Sequence, residues 1–165
     1  MTRALLLAMR ALVLATGIAT LGWLVYAQAP ARVSGVARFN NPTAISRPSG
    51  YSHVVEVTGG RTIYISGQVA LDRQGNVVGP GDFRAQAQQV FENLRLALEA
   101  SGASFKDVVK LNNYLVDMSQ LPALRDVRDQ FVNTATPPAS TTVEVRKLYR
   151  DDILLEVEAI AVVPQ

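Results

Sequence analysis

The chain has 165 residues, 48% of them apolar, which suits one domain with a real core and does not comfortably fit two. It carries 16 basic and 14 acidic residues, one histidine and no cysteine. That balance excludes the broad positive field that nucleic acid binding needs, and the missing ligands exclude disulfides and ordinary transition-metal sites.

Arg3 and Arg10 stand ahead of an apolar run from Ala11 to Ala27, the pattern of an export signal. Cleavage is expected after Ala27; a cut after Ala29, in Ala27-Gln28-Ala29, would leave Pro30 next to it. The alternative is an uncleaved inner-membrane anchor, since the run sits at the short end of the roughly 17 to 25 residues that span a bilayer. Either reading puts the domain outside the cytoplasm, periplasmic or secreted or held on the membrane by this segment alone. Loss of residues 1–27 removes two arginines and no acid, leaving 14 charges of each sign.

Residues 28–49 are rich in Pro, Asn, Ser and Gly and read as an arm with a short strand through Val33 to Phe39. The domain, residues 50–165, begins with "YSHVVEV", the turn "TGG" and "RTIYISGQVAL", which together read as a hairpin of two strands. After the turn-rich "DRQGNVVGPGD", Asp82 caps a helix with Phe83, Ala87, Val90, Phe91, Leu94 and Leu98 on its apolar stripe and Gly102 beyond its end. "DVVKLNNYLVD" is a strand with Val109, Leu111, Asn113 and Leu115 on one side. "SQLPALRDVRDQFVN" is a second helix, with Ser119 or Gln120 near its cap, Pro122 in its first turn, and Leu121, Leu124, Val127 and Phe131 inward. "STTVEVRKL" and "ILLEVEAIAVV" follow as strands around the turn "YRDD". The order is ββαβαββ, an α+β layer with both helices on one face of a sheet.

Little conventional chemistry is on offer. His53 shares a strand face with Tyr51 and reads as a partly exposed structural residue. Ser66 has no evident base or nucleophile-elbow spacing, and "GNVVGPGD" lacks a phosphate-loop lysine. Glu156 and Glu158 alternate within an apolar strand and so share a face, where carboxylates are costly unless paired or solvated. They are either charges guarding a wet edge or a group that faces a cleft and activates water.

"GYSHVV", "IYISGQV", "GDFRAQAQQVFENLRLALEASGASFKDVVKLNNYLVDM" and "VEVRKL…ILLEVEAIAV", nearly all of residues 50–163, resemble the Rid (reactive intermediate deaminase, YjgF-like) family. The resemblance implies a chorismate-mutase-like fold (the bacillus type) and a homotrimer with ligand clefts between subunits. It also implies cofactor-independent hydrolysis of 2-enamine or 2-imino acids to 2-keto acids and ammonia. Tyr51 matches the family's cleft tyrosine, Ser66 and Gly67 its cleft floor, and Glu156 the glutamate that positions water. Active members carry an arginine in the turn before the penultimate strand, where this chain has Ser140, with Thr142 where cysteine is common; no arginine lies between Arg128 and Arg146. A guanidinium fork grips a carboxylate bidentately, whereas a serine offers one neutral hydrogen bond. Arg125, at a position where active members tend to have asparagine, is the candidate replacement cation; otherwise it is an exposed helical arginine paired with Asp129 at i+4.

Two functions follow from this resemblance. In one, Glu156 drives hydrolysis of small imines or enamines with an altered substrate range. In the other, the trimer binds a small molecule without turnover. The family's older label of endoribonuclease fits a near-neutral surface and a lone histidine least well.

Overall fold

The computed structural model describes residues 35–165, so the export-signal reading of residues 1–27 and the start of the arm lie outside the described residues. The first two strands, β1 (Ala37–Asn40) and β2 (Val54–Val57), pair antiparallel as a small separate sheet. Arg38 and Glu56 stand directly opposite each other, and the arginine Nε and Nη2 donate to the carboxylate at 2.7–2.9 Å. The short strand expected before Asn40 is thus present, and the boundary drawn at Gly50 cuts through a paired unit.

The expected hairpin between "YSHVVEV" and "RTIYISGQVAL" does not form. β2 takes β1 as its partner, and the Thr58 N–H extends that pairing by donating to the Val36 carbonyl at 2.9 Å. Gly59 (φ 135°) and Gly60 (φ 94°) then redirect the chain. A side chain at Gly60 would meet the Val163 carbonyl oxygen at 2.7 Å, so glycine lets β3 (Arg61–Gln68) approach the last strand instead.

The remaining elements follow the expected order. They are α1 (Phe83–Ala100), β4 (Val108–Leu115), α2 (Leu121–Arg128), β5 (Ala139–Glu144) and β6 (Leu155–Val163). Their three strands join β3 in one sheet of order β3-β6-β4-β5, with β4 and β5 parallel and the other pairs antiparallel. The Asp82 carboxylate caps α1 by accepting from the Ala85 N–H at 3.1 Å. At the other end the N–H groups of Gly102 and Ala103 reach back to the carbonyls of Glu99 and Leu98 at 3.0 and 2.9 Å, closing a Schellman motif that needs the positive φ of Gly102. α2 has Gln120 at its N-cap with no side-chain cap; Asp117 instead caps the 3-10 turn Met118–Gln120 before it.

The apolar stripe of α1, all six residues as read from the period, is buried against Leu111, Leu115, Leu155, Val157 and Ala159 of the sheet. Each such large side chain stabilises the fold by roughly 1.5–3 kcal/mol relative to exposure. Phe131 lies just beyond α2 and stacks on Phe91, with ring centroids 5.4 Å apart. The helices cover one face of the sheet. The other face carries Tyr64, Lys110, Asn112, Tyr114, Glu156 and Glu158.

Candidate functional site

β6 alternates buried Leu155, Val157 and Ala159 with half-buried Glu156, Glu158 and Ile160, which places both carboxylates on the uncovered face. Register sets Glu156 opposite Tyr114 and Glu158 opposite Asn112 on β4. Glu158 is occupied: Asn112 Nδ2 donates to its Oε2 at 3.2 Å and the Tyr114 hydroxyl at 3.1 Å. Burial, and then the hydrogen bond to Glu158, hold the Tyr114 phenol above its usual pKa, so it stays a donor. Glu156 makes no side-chain hydrogen bond and no ion pair among the described residues, with Arg125, Arg146 or any other cation.

Glu156 owes its place to Gly67. The pairing of β3 with β6 slips between Ile65 and Gln68, a bulge that carries Ser66 and Gly67 out of register. A Cβ on Gly67 would lie far inside contact distance of Glu156 Oε1. Ser66 lines an open hollow of about 260 Å³ with Glu158, Lys110 and Asn112. The structure therefore brings Gly67 and Glu156 together, with Ser66 beside the neighbouring carboxylate.

Ser140 and Thr142 lie elsewhere. They pair with Leu111 and Asn113 of β4, on the helix-covered face. Asn113 is 1% exposed, and its Nδ2 donates to Ser140 Oγ (3.1 Å), Thr142 Oγ1 (3.0 Å) and the Thr141 carbonyl (3.2 Å). Its Oδ1 is buried without a partner. Within one chain, then, Glu156 and the Ser140–Thr142 pair sit on opposite faces of the sheet. Reading each strand separately shows neither this nor the role of Asn113; its one visible signal was an amide in an otherwise apolar strand face.

Tyr51 belongs with the second group. Its neighbour Ser52 bridges to Ala139 at the head of β5, with its N–H donating to the Pro138 carbonyl (3.1 Å) and its hydroxyl to the Pro137 carbonyl (2.6 Å). Tyr51 and His53 meet edge-to-face with centroids 5.3 Å apart. His53 is half-exposed and structural: Nε2 lies 2.7 Å from the Ser46 carbonyl, and its backbone N–H donates to Asn41 Oδ1.

Arg125 is exposed on α2 and makes no side-chain hydrogen bond among the described residues, and the i+4 pairing with Asp129 does not form. Asp129 is held by Arg128, whose Nε and Nη2 donate at 2.9 and 2.6 Å. Arg128 is 6% exposed and sits in the inward stripe between Leu124 and Phe131, at i+4 and i−3, a spacing that could have revealed it. Among the described residues no three His, Cys, Asp or Glu side chains gather as metal ligands.

This geometry coincides with a known fold and family. A family model described as "Endoribonuclease L-PSP" matches residues 41–163. A protein of Dermatophagoides farinae named 2-iminobutanoate/2-iminopropanoate deaminase is 38% identical over 113 residues, 68% of this chain and 85% of the relative. A mouse protein of the same name is 38% identical over 112 residues, 68% of this chain and 80% of its own length. Among solved structures, the Rid-family protein YyfB of Yersinia pestis, a protein of unknown function, superposes with a TM-score of 0.73 at 38% identity, over 78% of this chain and all of that one. RidA from an Antarctic Psychrobacter gives 0.59 at 35% identity, over 72% and 92%. The fold is thus the mixed α+β, chorismate-mutase-like class of these neighbours, and the chain belongs to the Rid (YjgF-like) family.

Proposed function

We propose that this protein is a cofactor-independent deaminase that hydrolyses small imines and enamines, working as a homotrimer whose clefts lie between subunits. The observation that carries the reading is the free, half-buried Glu156 carboxylate seated on Gly67. A carboxylate without a cationic partner is available as a general base. It takes a proton from water while the water oxygen bonds to the imine carbon; the proton passes to nitrogen, and the carbinolamine collapses to a ketone and ammonia.

The trimer is supported by the separation of the two residue groups. Glu156, Gly67 and Ser66 on the uncovered face and Ser140 and Thr142 on the helix-covered face, with Tyr51 beside the head of β5, can serve one cleft only if two copies contribute. The altered substrate range is supported by Ser140, which offers a neutral hydroxyl already bonded to Asn113. Export is part of the proposal, supported by Arg3, Arg10 and the Ala11–Ala27 run. The endoribonuclease label does not carry over, because the single histidine is engaged by a backbone carbonyl.

The test is release of ammonia from freshly generated 2-aminoacrylate by the purified protein. Glu156→Gln is expected to lower kcat by about 100- to 10,000-fold, the usual range for a general base. A wild-type rate equal to buffer would leave the second reading, a binding module, favoured by hydroxyls at Ser140 and Thr142 that hold Asn113.

A further inference from the structure

A hollow of about 480 Å³ opens between the β1–β2 connection and the segment leading into β5; Arg47, Gly50, Tyr51 and Pro137 contribute to its wall. Its chemistry is cationic. Arg47 is exposed and makes neither an ion pair nor a side-chain hydrogen bond among the described residues. Behind Gly50 lies the buried Arg128, and a Cβ added at Gly50 would stand 2.5 Å from its Nη2 and 3.6 Å from its Nη1. Gly50 has φ 76°, a conformation that favours glycine at this point.

Charge bookkeeping at this hollow leaves a surplus of one. The Asp129 carboxylate neutralises Arg128, though it engages only Nε and Nη2 and leaves Nη1 without a partner among the described residues. Arg47 adds a second, uncompensated guanidinium. Among the described residues Arg47 is the one charged side chain on the wall of the hollow, and a guanidinium fork favours a planar anion that can take parallel N–H donors. The Tyr51 hydroxyl adds a third donor with no partner among the described residues.

We propose that this hollow binds the carboxylate of a small organic acid, with the Arg47 guanidinium as its charged contact. Its link to turnover rests on the deaminase reading: the acid is then the substrate's own, and the charge absent at Ser140 is provided by Arg47. A pyruvate-sized acid enters this hollow with room to spare and matches its charge.

The experiment is calorimetric titration of the full-length protein with pyruvate, and with the neutral pyruvamide as comparison. Pyruvate is expected to bind, pyruvamide at least about tenfold more weakly. Arg47→Gln should raise the pyruvate Kd about tenfold or more, Arg47→Lys should recover part of the loss, and Arg146→Gln, which changes net charge equally at an exposed site elsewhere, should leave it unchanged. Equal binding by Arg47→Gln, equal binding of the amide, or no binding of pyruvate would each overturn the site. Failure of the two readings is separable: pyruvate binding without imine turnover sinks the deaminase and keeps the site. Turnover of 2-aminoacrylate that Arg47→Gln leaves unchanged, with pyruvate binding also unchanged, does the reverse.

Discussion

At Gly67 the missing side chain leaves the space that the Glu156 carboxylate occupies. Its backbone φ is not in the positive range, so alanine is conformationally acceptable there, and the nearest obstacle is the Glu156 side chain. With Glu156 as the proposed base, Gly67→Ala is therefore expected to keep its melting temperature within a few degrees while losing at least roughly tenfold in kcat/KM, because the displaced carboxylate would no longer meet its water. An equal fall in both would mean that the glycine serves packing. Asn113 is the opposite kind of residue, buried and holding three acceptors on the edge strand. Asn113→Ala should cost about 2–4 kcal/mol in denaturant unfolding, from a small void and from hydrogen bonds whose β5 partners lose their donor.

Among elements, those decided locally were legible in the chain. α1 announces itself through Asp82, a 3.6-residue apolar period and Gly102, and all three act as read. β4 and β6 show which side faces the core because one face is apolar. Pairing partners were not legible: β2 joins β1 because Gly59 and Gly60 turn the chain away, a choice made by tertiary competition for edges. Gln86 was hidden for a similar reason, since it lies beside an apolar stripe yet is fully buried. Its Nε2 donates to the Asp152 carbonyl (2.7 Å) and its Oε1 accepts from the Leu154 N–H (2.9 Å), tying α1 to the turn that starts β6. Gln86→Leu keeps the apolar volume but orphans both backbone groups, and should destabilise by about 2–4 kcal/mol, read from the urea midpoint at unchanged m-value.

For the whole molecule, the uncovered sheet face is the dominant feature. It presents Tyr64, 79% exposed, near Ile160 and a mixed set of polar side chains. A face of this kind is suited to a second copy, and light scattering is expected to give three times the subunit mass. Tyr64→Glu, which puts a charge on that face at its β3 edge, should shift the distribution toward monomer while leaving far-UV circular dichroism intact. A wild-type monomer would remove the trimer, and with it the shared cleft. The sequence could point to Glu156, Tyr51 and Ser140 through family likeness, but a linear string carries no information about which two of them share a side of the sheet.

That division between faces has a genetic consequence. On the proposed cleft between subunits, two damaged alleles of this protein need not both be silent when expressed together: a subunit crippled at Glu156 would lend its intact Tyr51 side to a neighbour crippled at Tyr51. Random mixing of equal amounts of the two would leave about a quarter of the clefts whole. Activity recovered from two inactive parents would locate the chemistry between chains without any structure of the assembly.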